Sequence, residues 1–138
     1  MNYKIIAKYI KNLKFDISHP NKFFSLTKDI ANYKFKIDIK SNNFKDNIIE
    51  VETTLALKPK ESNLDKINAL VTYSTLVEIN KDLSNKKKLE EIILIEIPNK
   101  IYPELREVFI FIFENSGFRD IKIDQKVDFR KLYLSRRN

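Results

Sequence analysis

Apolar and polar residues alternate along the first half of the chain. Ile5, Ala7, Tyr9, Leu13, Phe15 and Ile17 share one parity, and Lys4, Lys8, Asn12, Lys14 and Asp16 dominate the other. A period of two predicts a strand, here long enough to bend or break in its middle. His19-Pro20-Asn21 ends it, because proline cannot continue a ladder. Phe23, Phe24 and Leu26 follow without clear periodicity and read as an irregular, exposed segment. The clearest alternation comes next: Tyr33, Phe35, Ile37 and Ile39 against Lys34, Lys36, Asp38 and Lys40. Ser41-Asn42-Asn43 reads as a turn. A third strand is predicted from Ile48 to Leu57, ending at Lys58-Pro59-Lys60, and a fourth from Ile67 to Ile79. Strands in sequential antiparallel order with short links would form one sheet with one wet face.

The pattern then changes period. Leu89, Ile92, Ile93 and Ile97 recur at helical spacing, with Ser84 or Asn85 as cap, and Pro98 is expected to break or bend the helix. Val108 to Phe113 is apolar at every position. Phe-Ile-Phe-Ile-Phe prefers a strand by composition. Two features favour a helix instead: Pro103-Glu104 suits a first turn, and Gly117 suits a left-handed C-terminal cap. A last element starts at Asp128, a candidate N-cap, with Phe129, Leu132 and Tyr133 on one face. The whole chain, 1–138, reads as one α+β domain. A helix apolar all round must be buried all round, so the pattern predicts that 108–113 is covered by a second subunit.

Composition removes most chemistry. Cysteine is absent, His19 is the only histidine, and Gly117 the only glycine. This excludes disulfides, a zinc site and a Gly-rich phosphate loop. Ser25, Ser74 and Ser116 lack a nearby base, and Glu50, Glu52, Glu90 and Glu91 read as solvated carboxylates, so no enzyme, metal or cofactor is expected. The formal charge of +7 admits two explanations, a polyanionic partner or an excess of AT-rich codons for Lys, Asn and Ile. From Tyr33 to Lys40 the aromatics and lysines fall on opposite faces, which argues against nucleic-acid stacking. The start, Met1-Asn2-Tyr3-Lys4-Ile5-Ile6, lacks a long apolar core and a small-residue cleavage site, and no run approaches a membrane span. A soluble cytoplasmic protein is the expectation.

Residues 98–133 carry a more specific signal. Pro98-Asn99-Lys100-Ile101-Tyr102-Pro103-Glu104-Leu105-Arg106-Glu107, the apolar run 108–113, Gly117-Phe118 and Val127-Asp128-Phe129-Arg130-Lys131-Leu132-Tyr133 follow one another in an order that resembles the protein-export chaperone family SecB. The resemblance implies a four-stranded antiparallel sheet with a long helix and a shorter C-terminal helix, assembled as a homotetramer, a dimer of dimers. It implies that long helices meet between dimers, which falls here on Ile101, Leu105, Val108, Phe109, Ile112 and Phe113. It further implies ATP-independent binding of unfolded preproteins in apolar grooves and delivery to the translocation motor SecA. By position the groove falls on Phe35, Ile37 and Ile39, on Phe23 and Phe24 of the crossover segment, and on Leu132, Tyr133 and Leu134.

The chain also departs from that family. SecB proteins are usually acidic, and an acidic sheet face docks SecA; here Asp16 keeps one such position, Asn12 replaces another and a third falls near Leu70. The family's Gly-Phe-Pro-Pro is Gly117-Phe118-Arg119-Asp120, and the chain ends Ser135-Arg136-Arg137-Asn138. Two other readings stay open: a SecB-like chaperone dedicated to one client, such as an antitoxin, and a basic nucleic-acid-binding module.

Overall fold

The computed structural model of the chain describes residues 2–60, 67–118 and 121–137. Met1, Arg119, Asp120 and Asn138, which enter the readings above, lie outside the described residues. Four strands form one antiparallel sheet: β1 (Tyr3–Asp16), β2 (Tyr33–Lys45), β3 (Ile48–Pro59) and β4 (Asn68–Ile79). Their order is β1-β4-β3-β2. Sequential pairing therefore holds from β2 to β4 and fails for β1, which lies beside β4. The connection is the cause. A tight hairpin needs about two to five residues, whereas α1 (Pro20–Asp29) and a 3-10 turn (Ile30–Asn32) stand between β1 and β2. The segment around Phe23 and Phe24 is thus helical, not irregular. Pro20 occupies the start of α1, where its fixed φ suits a helix and its missing N–H costs nothing.

β1 does not keep one parity. Register shifts between Ile5 and Ala7 and between Ile10 and Asn12 each add a residue. Lys8 and Ile10 consequently pair with Thr75 and Tyr73 on the helix-covered face, while Ala7 and Tyr9 pair with Leu76 and Ser74 on the open face. Leu13 and Phe15 return to the covered side, and the Phe15 ring meets Phe113 edge-on at 5.0 Å.

The β2–β3 hairpin turns later than its composition predicts. Ser41, Asn42 and Asn43 stay in the ladder, opposite Val51, Glu50 and Ile49. The Asn42 amide donates across the strands to Glu52 Oε2 at 2.9 Å, which holds the residue in place. Reversal falls on Asp46-Asn47, with Asp46 at φ 45, a left-handed conformation that Asp tolerates better than most residues.

The next element is a continuous helical rod of 30 residues, in three parts: α2 (Lys86–Glu91), a π-helical turn (Ile92–Glu96) and α3 (Ile97–Asn115). Asn85 is the cap; its Oδ1 accepts from the Lys87 and Lys88 amides at 3.0 and 3.2 Å. Pro98 does not break the rod. Proline lacks an N–H and crowds the preceding turn, and the wider π turn immediately before it, where the Ile97 amide reaches Ile92 carbonyl, relieves the conflict. Pro103 lies inside α3 and not in its first turn. At the far end Gly117, φ 99, closes a Schellman cap: the Phe118 amide donates to Phe113 carbonyl at 3.0 Å and the Gly117 amide to Glu114 carbonyl at 3.3 Å. The last helix, α4 (Phe129–Arg137), is capped by Asp128, whose Oδ1 accepts from the Lys131 amide at 3.0 Å.

α3 lies on the sheet, and the core forms there. Val51, Leu55, Leu57, Val71 and Val77 face Ile101, Leu105, Phe109 and Phe113, all at most 2% exposed. Burying each such side chain contributes roughly 1.5–3 kcal/mol. The prediction that a second subunit covers 108–113 all round is corrected here: the chain's own sheet covers Phe109 and Phe113. Phe111, on the other side of the helix, is 65% exposed. No helix among the described residues is long and apolar enough to cross a membrane.

Candidate binding groove

β2 is one edge of the sheet, and its inward side chains from Phe35 to Ile39 are only partly covered. Phe35 lies edge-on to Phe109 and Phe113, at 5.4 and 6.2 Å. Further along, Ile37 and Ile39 are half-buried and form one wall of an apolar trough. Leu94 of the π turn and Leu132 and Tyr133 of α4 complete its lining. Four of the eight groove residues inferred from the sequence, Ile37, Ile39, Leu132 and Tyr133, thus come together in one place. Leu134, 53% exposed, stands beyond them on α4.

Each wall is fixed for a physical reason. Strand alternation turns Ile37 and Ile39 to the same side, about 7 Å apart. α4 is held by buried Phe129, whose ring meets Tyr102 at 6.0 Å, and by the Tyr133 hydroxyl, which donates to Glu90 Oε2 at 2.9 Å. The segment leading to α4 is tied to the long helix: the Tyr102 hydroxyl donates to Asp124 carbonyl, and Arg106 Nε donates to Ile123 carbonyl at 3.2 Å. Burial raises the Tyr102 pKa, so the hydroxyl keeps the proton it donates. Tyr133 is only 4% exposed and serves as floor, whereas Leu132, 41% exposed, is rim.

Phe23 and Phe24 sit elsewhere, at the other end of β2's inward row. Rings run in contact from Phe24 to Phe23 at 5.6 Å, to Phe118 at 5.0 Å and to Phe113 at 5.6 Å. Phe24 is 67% exposed and Phe23 half-buried. The inward row Phe35, Ile37 and Ile39 joins this aromatic cluster to the trough. Along the same strand the outer backbone edge has no neighbouring strand among the described residues.

Of the residues assigned to a subunit interface, Ile101, Leu105, Phe109 and Phe113 are at most 1% exposed within one chain and fill its core. A second subunit cannot reach them. Val108 and Ile112 are half-buried, on the flanks of α3 beside exposed Phe111.

Asp16 is exposed on the open face, opposite Asn68. Two further carboxylates of that face, Glu50 and Glu52, are already engaged. Lys11, in the second β1 bulge, reaches Glu50 Oε2 at 3.0 Å and Glu52 Oε1 at 3.5 Å, and the Ser74 hydroxyl donates to Glu50 at 2.6 Å. The Ser74 bond, then Lys11, holds the Glu50 carboxyl below its usual range. No group of three or more His, Cys, Asp or Glu among the described residues is placed to hold a metal ion. Sequence reasoning missed Leu94, Phe118 and Lys11. Leu94 falls outside the helical repeat of Leu89, Ile92, Ile93 and Ile97; Pro98, which demands a distortion upstream, was the available signal.

A family model described as "Preprotein translocase subunit SecB" matches residues 1–138. The chain belongs to the SecB family. A Pelagibacter ubique (strain HTCC1062) protein named for SecB and protein export is 38% identical over 99% of this chain and 98% of its own length. Protein-export protein SecB 1 of Gluconobacter oxydans (strain 621H) is 22% identical over 99% of this chain and 83% of that protein. The Mycobacterium tuberculosis Rv1957 SecB-like chaperone, solved in complex with a ChAD peptide from the Rv1956 HigA1 antitoxin, superposes with a TM-score of 0.66. That match covers 91% of this chain and 88% of the other at 9% identity, a likeness of fold. The SecB architecture, sheet plus long helix plus short last helix, is the one described above.

Proposed function

We propose that this SecB-family chain holds non-native polypeptides in the trough lined by Ile37, Ile39, Leu94, Leu132 and Tyr133, without ATP, and serves Sec-dependent export of preproteins. The observation that carries the reading is that trough: apolar, shallow and set beside a strand edge that pairs with no other strand among the described residues. Side chains of an unfolded client dock in it while the client backbone pairs with the edge of β2. Each fully buried side chain contributes roughly 1.5–3 kcal/mol, so a few partial dockings reach micromolar affinity, about 8 kcal/mol, after ordering costs. A folded client hides both groups, so selection follows from exposure and not from a motif. The relatives named for protein export support the destination. The reading includes no catalytic step and no cofactor.

In this reading the chain works in the cytoplasm as a homotetramer, a dimer of dimers. Val108, Ile112 and Phe111 on the outward side of α3 supply apolar contact, backed by the buried Ile101, Leu105, Phe109 and Phe113. SecA contact rests on Asp16, since Glu50 and Glu52 are held by Lys11. That engagement, together with the antitoxin peptide bound by the M. tuberculosis neighbour, favours a second reading in which the clients narrow to one dedicated protein. A nucleic-acid module is the third.

Light scattering of a denatured client, diluted with and without the chain, tests the proposal. Suppression at micromolar chain without ATP is expected, and its loss in Leu132→Asp. Unchanged aggregation would sink the chaperone reading. Proteins co-purified from cells then separate many preproteins from one abundant partner.

A further inference from the structure

The open sheet face, turned away from the groove, is unevenly charged. Cross-strand register sets its rows. Lys34 on β2 lies directly opposite Lys58 on β3. The next row runs Lys36–Ala56–Leu70–Lys14 across all four strands. Adjacent strands are about 4.8 Å apart and same-face neighbours along a strand about 7 Å apart, so the four ammonium groups ring a small apolar floor. Ala56 is 7% exposed and Leu70 half-buried. None of the four lysines forms an ion pair among the described residues. Like charges directly opposite each other destabilise an antiparallel pair, so the Lys34–Lys58 juxtaposition works against the sheet that carries it.

Among the described residues no acid of this face forms an ion pair with these lysines. Glu50 and Glu52 lie toward the other end and are held by Lys11, Ser74 and Asn42. Asp38 lies one row beyond Lys36, opposite Thr54, and Asp16 ends β1 opposite Asn68. They flank the floor without entering the Lys36–Lys14 row.

We propose that this half of the open face docks an acidic peptide segment of a partner protein. Its carboxylates meet Lys14, Lys34, Lys36 and Lys58, and an apolar side chain between them rests on Ala56 and Leu70. Charge complementarity selects an anion, and the apolar floor selects a peptide over a nucleic acid. Among the described residues this half carries no arginine fork and no aromatic ring on which a base could stack; Tyr9 stands two rows away, opposite Ser74. The surface is separate from the groove and does not depend on the chaperone reading.

The test is fluorescence anisotropy of a labelled Glu-Glu-Leu-Glu-Glu peptide titrated with the full chain, beside a single-stranded oligothymidylate of equal charge. The peptide is expected to bind, to weaken as salt is raised, and to lose about tenfold or more in affinity in Lys36→Glu and in Lys58→Glu. Lys58→Glu sets an acid opposite Lys34, so its melting temperature is expected to hold or rise, which separates lost docking from lost folding. Leu132→Asp, on the far side of the sheet, is expected to bind the peptide as the parent chain does, so that groove failure and face failure are distinguishable. Absence of peptide binding, binding unchanged by both lysine variants, or tighter binding of the oligothymidylate through the same lysines would overturn the proposal.

Discussion

The Tyr133 hydroxyl donates to Glu90 Oε2 at 2.9 Å, across 43 positions of sequence, and so fastens the last helix to the start of the long one. Between these two helices and β2 lies the trough. Tyr133→Phe keeps the ring in the floor and removes the bond. The expected cost is about 0.5–1.5 kcal/mol, concentrated in α4. Hydrogen exchange should speed up across 129–135 and stay unchanged in β3 and β4. Unchanged protection of α4 would show that Phe129 packing alone holds it.

Leu94 is assigned to the groove by geometry alone. Leu94→Asp and Leu132→Asp are each expected to weaken client binding about tenfold to a hundredfold, the loss of one docked side chain. Phe35→Asp differs, because Phe35 packs against Phe109 and Phe113; it should lower thermal stability as well. Equal melting temperatures for Phe35→Asp and Leu132→Asp would contradict this division between core and rim.

Gly117 has φ 99, and a Cβ built there would lie 3.1 Å from the Phe23 ring. Gly117→Ala therefore strains both the cap and the ring stack. A loss of about 1–3 kcal/mol is expected in denaturant unfolding. A neutral result would mean that α1 can move away from the cap without cost.

Acid acts through the open sheet face. Ser74 and Lys11 hold the Glu50 carboxyl below the ordinary value of 4.5. A lowered folded pKa contributes stability that is present above the ordinary value and lost as pH falls through the folded one. Unfolding free energy should thus decline below about pH 4.5, and Glu50→Gln should flatten that decline. Lys11 is the converse: its hydrogen bond to Glu50 raises it above 10.5, so its contribution is complete below that value and fades only as pH rises through the raised one. An acid limb identical in Glu50→Gln would refute the assignment.

Much of this architecture can be read from residue patterns, and the exceptions have physical causes. The alternation Tyr33 to Ile39 and the caps at Asn85, Gly117 and Asp128 are local signals that the fold obeys. β1 defeats a simple parity reading because two bulges reset it, and a bulge leaves no composition mark when Ile6, Tyr9 and Ile10 are all apolar. α1 was missed because a short helix pinned by Pro20, with Leu26 as its buried residue, has too few turns to show a period. The long helix survives Pro98 through a π turn, a tertiary solution that no propensity anticipates. In the groove, Ile37, Ile39, Leu132 and Tyr133 followed from family position. Phe109 and Phe113 were misplaced because an all-apolar run does not say which subunit covers it.

Site-directed photo-crosslinking tests the central claim most directly. A photoreactive residue at position 132, on the trough rim, and another at position 12, exposed on the open face, are each presented to an unfolded client and to the same client folded. Crosslinks from position 132 to the unfolded client alone, with position 12 silent, are the expected result. Equal labelling from both positions, or crosslinks from position 132 to the folded client, would contradict a groove that selects non-native chains.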